Sequence, residues 1–196
     1  MHLHPSFSGL VRSIRQAGAM VAPWEGRVFR AVEIKWAKPA SLLSGEGTRK
    51  HGGRWMRAGV AEVAHAAMTE ALAIKESRHA FDYYGIRKPR NNPRVSVEIR
   101  VKLAKVLPLG AVETVLPHLT NEELLREDWE KVNGQGSETL AQAIGRAAWQ
   151  IGLEGLVVPS ARDRRSRNLV WFPGNLSAGS VCTITAQHEL EAWLAE

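Results

Sequence analysis

Cysteine is almost absent from this sequence. Cys182 stands alone, so no internal disulfide can form, and one thiol without a CxxC pair or a Cys/His cluster argues against structural zinc. That usage fits a reducing compartment. No run of about eighteen apolar residues is present, and the N-terminal residues lack an apolar core with a cleavage site, so membrane roles drop out and a cytoplasmic location is expected. Familiar catalytic signatures are missing as well: no GxxxxGKS/T phosphate loop, no GxSxG of an esterase, no HExxH of a zinc protease. Gly45-Glu46-Gly47 opens like a dinucleotide fingerprint. Lys50 stands where its third glycine belongs, however, and no clear strand precedes it, which disfavours a Rossmann fold. Without a metal cluster or a nucleophile motif, the expected chemistry is polar and electrostatic.

The 196 residues suffice for one domain with a full hydrophobic core, and 44% hydrophobic with 23% charged residues give no argument for disorder. A formal charge of +6 makes nucleic acid or another polyanion a partner to weigh. Cations concentrate between positions 78 and 105, where Arg78, Arg87, Lys88, Arg90, Arg94, Arg100, Lys102 and Lys105 are set against only Asp82 and Glu98. RDRRSR at 162–167 adds further arginines, whereas residues 122–130 are acidic. A non-catalytic nucleic-acid-binding module on this basic surface is one reading, weakened by the lack of an RNP-like aromatic motif or a helix-turn-helix.

The side-chain pattern predicts an α/β (α+β) fold, a mixed and largely antiparallel β core flanked by helices. A loosely held entry, in which His2 and His4 read as solvated rather than as a metal pair, leads to a short helix at 10–16. Residues 27–34 alternate as a first strand that places Arg30 on an otherwise apolar face, where it is either a snorkelling surface side chain or a buried anion ligand. Residues 61–66 form a short strand running into a helix from about Thr69 that carries Glu76. The strand at 94–105 alternates most cleanly, with a basic face expected to be wet. Thr120 and Glu123 form a capping-box pattern that opens a helix to about Val132, and a further helix follows at 137–151. Strands at 155–159, 168–172 and 181–185 and a closing helix at Trp193 and Leu194 complete the chain. Trp24, Trp36, Trp129, Trp149, Trp171 and Trp193 read as core or interface.

The densest stretch is SGEGTRKHGGRW at 44–55. Gly45, Gly47, Gly52 and Gly53 alternate with Arg49, Lys50, His51 and Arg54, which reads as a flexible loop of exposed amides and guanidinium forks suited to a pyrophosphate. This block, the strand after it, ALAIKE around Glu76 and the later VPS resemble the RES-domain family, named for an arginine, a glutamate and a serine. The resemblance spans about residues 27–172 of a single domain. It implies a fold similar to ADP-ribosyltransferases, cleavage of the nicotinamide–ribose bond of NAD, and a toxin neutralised by a cognate antitoxin in a hetero-oligomer. The acceptor of ADP-ribose would be water, phosphate or a protein side chain. No metal is implied, and nucleic-acid contact would come through the antitoxin.

Carried onto this sequence, the resemblance makes Glu76, Arg54 and His65 catalytic and gives Arg30, Gly45, Gly47, Arg54, Trp55, His65 and Ser160 to NAD binding. Met56 stands where the family usually has asparagine, and His65 where it usually has tyrosine. Each assignment has a plainer competitor. Glu76 could be a solvated helical carboxylate, Arg54 could simply pair with an acid, His65 could be a satisfied core histidine, and Ser160 after Pro159 could be only a turn residue.

Overall fold

In the computed structural model, residues 2–78, 83, 85 and 94–190 are described. Seven α-helices and six strands carry the fold among them. The chain enters through α1 (Phe7–Gln16) and β1 (Ala22–Glu33), then α2 (Pro39–Leu43) and α3 (Glu46–His51), β2 (Ala64–Ala67) and α4 (Glu70–Ser77). After β3 (Arg94–Pro108) come α5 (Asn121–Arg126), α6 (Trp129–Gly134) and α7 (Leu140–Gln150), then β4 (Gly155–Pro159), β5 (Arg167–Trp171) and β6 (Val181–Glu189). The closing helix read at Trp193 and Leu194 lies outside the described residues.

The strands form one sheet in the order β1-β2-β5-β4-β3-β6. An additional β1–β3 pairing closes five of them into a ring, with β6 on the outer edge of β3. All pairings are antiparallel except β3–β4. The long β3 makes this closure possible: it pairs with β1 from Arg94 to Val106 and joins β4 through Val106, Leu107 and Pro108. Its alternation is clean from Glu98 to Leu103, but Arg94 and Ser96 are buried, at 8% and 1% exposure. The face expected to be wet is therefore covered at its start. There β1 and β6 flank the strand, and Arg94 donates to the carbonyl of Ala31.

Several expectations need correction. The glycine-rich stretch is not a loose loop, because residues Glu46–His51 are helical between two glycines at positive φ, Gly45 at 71° and Gly52 at 77°. A Cβ on Gly45 would lie 2.5 Å from the backbone of Val63, so glycine is required there by a chain crossing as well as by the turn. The helix expected from Thr120 to Val132 is broken in two. The Thr120–Glu123 capping box forms as read, but Glu127 is extended and Asp128 caps a second helix by accepting from the Lys131 amide. The N-terminus is tied down too: His2 donates its amide to Gly136 and His4 donates its amide to the buried carboxylate of Glu138.

Helix α7 is the centre of the larger apolar cluster, with Ile144, Ala147 and Ala148 fully buried against Trp55, Met56 and Leu156. It begins with a second capping box, Thr139 with Gln142. Its end is sealed by Asn175, whose side-chain amide donates to the carbonyls of Trp149 and Leu153. Glu154, fully buried just beyond, accepts from the Ala104 amide and from Ser177 and Ser180. Burial pushes its carboxyl up, but these donors outweigh that and hold it below the usual range. Two more apolar clusters lie along the strands, and the smaller sets Leu72 and Ala73 of α4 against Ala31 and Ala67. That contact lays α4 over the sheet.

Candidate active site

Helix α4, capped by Thr69, presents Glu76 near its end. One carboxylate oxygen, Oε1, accepts from the Ser160 hydroxyl at 2.7 Å and from the Asn168 side-chain amide at 2.9 Å. Ser160 sits at the end of β4 with no exposed surface, and its Oγ also accepts from the amides of Arg162 and Asp163, which fixes the turn between β4 and β5. Serine is thus a support for the carboxylate. It does not line the cavity beside it, although its neighbours Pro159 and Ala161 do.

That cavity has a volume of about 640 Å³, within the range of small-molecule sites. Arg30, Arg54, His65, Glu76, Arg162 and Asn168 all line it. The two arginines are held in the same manner. Arg30 on β1 donates Nη1 to the carbonyl of Leu42 at 2.5 Å, in the last turn of α2. Arg54 donates Nη1 to the carbonyls of Leu125 at 3.2 Å and Glu127 at 3.1 Å, where α5 ends. Helix ends leave carbonyls without intrahelical partners, and these carry partial negative charge, so a guanidinium docks there readily. A guanidinium has five donors, and the remaining ones stay available to a ligand. Burial lowers both arginines, Arg30 to about 10, which leaves it a cation at neutral pH. Both arginines are half-buried, and their hydrogen bonds among the described residues go to peptide carbonyls, although Glu76, Asp128 and Glu127 lie close enough to Arg54 to favour its charge.

His65 on β2 pairs with Val170 of β5 and opens its ring to the cavity. Although His65 is exposed at the cavity wall, loss of water around it, then the neighbouring Arg30 cation, push its imidazole down to about 4 against the opposing pull of Glu76. It is a neutral group that can donate from one nitrogen and accept at the other. Trp55 is 7% exposed and lines the cavity as part of the apolar core. The Arg54–Trp55 backbone is fixed from α7: Gln142 donates to the carbonyl of Gly53 at 2.9 Å, and Gly145 lets the Trp55 carbonyl pass against the helix.

Gly45 and Gly47, read as ligand-binding glycines, are not on the cavity wall; Thr48, Gly52 and Gly53 are. Gly45 serves the chain crossing, and a Cβ on Gly47 would meet nothing within 4 Å. The sequence reading missed Asn168. It also missed the segment at 125–130, whose Glu127, Asp128 and Trp129 line the cavity. Asp128 accepts from the Tyr83 hydroxyl, another lining residue, at 2.7 Å. The one available signal for this segment was its acidity in a basic chain.

A carboxylate braced by neutral donors, two arginines on helix ends and a neutral histidine thus meet in one cavity. The family model of the RES domain matches residues 27–193, and the chain belongs to that family. Over 159 residues it is 25% identical to the NAD(+) phosphorylase MbcT of Mycobacterium tuberculosis and to that of Mycobacterium bovis, spanning 78% of this chain and 76% of each relative. The crystal structure of the M. tuberculosis MbcT–MbcA toxin–antitoxin complex shares its fold, with a TM-score of 0.73 at 23% identity over 93% of this chain and 92% of that one.

Proposed function

We propose that this chain is the toxin of a toxin–antitoxin pair and that its cavity binds NAD and cleaves the nicotinamide–ribose bond, with phosphate as the acceptor of ADP-ribose. The observation that carries this reading is Glu76, lining one cavity with Arg30, Arg54 and His65, with one oxygen braced and the other accepting no hydrogen bond among the described residues. The names of the curated relatives favour phosphate among the acceptors.

The pyrophosphate of NAD offers two phosphates to the planar forks of Arg30 and Arg54. Breaking the bond from ribose C1 to the pyridinium nitrogen releases neutral nicotinamide and leaves an oxocarbenium-like sugar, as in glycoside hydrolysis. Glu76 stabilises that developing charge and can accept a ribose hydroxyl. His65 contributes a neutral hydrogen-bonding ring rather than a second cation. A phosphate oxygen bonds to C1, its proton passes to solvent, and ADP-ribose phosphate leaves.

A cognate antitoxin is the proposed partner, lying over the cavity mouth. This rests on the fold shared with a toxin solved beside its antitoxin. Ile34 and Trp36, 45% and 56% exposed just past the end of β1, offer such a partner apolar surface near the lining residue Val32.

The test is to incubate purified protein with labelled NAD, with and without inorganic phosphate and cell lysate, following nicotinamide and the label. Phosphate-dependent nicotinamide release is expected, reduced at least about 100-fold in Glu76→Ala. Label freed without phosphate would make the enzyme a hydrolase, and label on a protein would make it a protein ADP-ribosyltransferase. No release, with salt-sensitive nucleic-acid binding instead, would end the enzymatic reading.

A further inference from the structure

We propose that Asn168 is a positioning residue for Glu76, fixing one carboxylate oxygen so that the other is kept for the ribose; the catalytic part of this rests on the NAD reading of the cavity. Two donors converge on the same oxygen, Ser160 from the end of β4 and Asn168 from β5. Among the described residues Oε2 accepts no hydrogen bond. A carboxylate held by one donor still swings about its last bond, whereas two donors from separate strands fix both the place and the plane of the group.

Asn168 is well placed to do this. It sits inside the sheet, between Ala67 of β2 and Val158 of β4, so its backbone is tied on both sides. Its amide orientation is set by the carboxylate, because turning it over would face an oxygen with an oxygen. The cost is visible: its Oδ1 is buried without a partner among the described residues. An orphaned buried oxygen weakens a fold, and packing alone does not account for it. Holding Glu76 does.

The test compares the parent with Asn168→Asp, Glu76→Gln and the double variant, measuring melting temperature and the steady-state kinetics of nicotinamide release. Asn168→Asp keeps the shape but sets an acceptor against the carboxylate. It is expected to lower the melting temperature by about 4–8 °C. It should lower kcat on the order of 100-fold, the effect of a catalytic group displaced by about 1 Å, while KM for NAD changes by less than about threefold. Adding Glu76→Gln reverses donor and acceptor, so the melting temperature recovers while turnover stays lost. A variant that melts lower yet turns over like the parent would reduce Asn168 to a structural residue and overturn the proposal. A double variant that gains no stability over Asn168→Asp would overturn the contact itself. If the parent releases no nicotinamide, the NAD reading has failed, and recovery of melting temperature alone decides whether Asn168 holds Glu76.

Discussion

His65 holds a neutral ring in a cavity beside the Arg30 cation. Its imidazole, ordinarily near 6.5, is pushed down to about 4 in the folded chain by loss of water at the cavity wall and by Arg30, although the ring stays exposed to the cavity. Between those values the unfolded chain takes up a proton that the folded chain refuses, so this residue costs stability as pH falls through that window and costs nothing above it. In His65→Gln the fall in stability from pH 7 to pH 4.5 is expected to be smaller by about 1 kcal/mol, after allowing for the ring's contact with cavity water. Urea unfolding at several pH values would show it, and parallel curves would mean that the ring titrates freely. Single residues were unevenly legible in the sequence. Arg30, Arg54, His65 and Glu76 stand in a fixed order with a short motif around each, and the structure brings all four to one cavity. Asn168 has no such setting. It is a polar residue beside Leu169 and Val170, and its partner lies 92 positions away, a separation no local pattern reports.

Among the elements, α7 governs the site without lining it. A Cβ on Gly145 would come within 1.8 Å of the Trp55 carbonyl oxygen, so helix and loop backbones touch where Arg54 is held. Alanine would gain about 1 kcal/mol in helix propensity, but forcing two backbones apart costs about 1–3 kcal/mol. Gly145→Ala is therefore expected to lose up to about 2 kcal/mol net and, by shifting Arg54, to slow nicotinamide release more than its stability loss explains. Parallel melting and turnover measurements would separate the two, and unchanged turnover would show that the loop keeps its place without α7. The start of α5 was read from its Thr120–Glu123 capping box, whereas α7 starts at the unread Thr139–Gln142 box, two residues past the Ser137 start read from the sequence. The glycine-rich stretch was misread because Glu46–His51 is a short helix whose glycine boundaries resemble loop composition. The break after Arg126 was hidden because Asp128 caps a helix where acidity alone reads as a solvated face.

For the whole molecule, the class of fold was legible and the closure of the sheet was not. Each strand announces itself by alternation or by an apolar run. The β1–β3 pairing that closes the ring is set by register over a long strand, and no local pattern encodes it. The net charge of +6 was legible too, while individual surface cations are paired locally, as Arg100 with Glu25 and Arg27 with Glu98 show. The cavity is arranged differently. Arg30 and Arg54 are anchored by peptide carbonyls rather than by carboxylates, and dissolved ions do not dissociate a carbonyl anchor as they screen a surface ion pair. Ionic strength should therefore act on capture and leave the scaffold alone: between 50 mM and 500 mM sodium chloride, KM for NAD is expected to rise several-fold while the melting temperature holds within about 2 °C. A melting temperature that fell in step with KM would mean that the binding cations depend on screened surface pairs for their place. The anion trap would thus be open to tuning by the surrounding salt while staying mechanically indifferent to it.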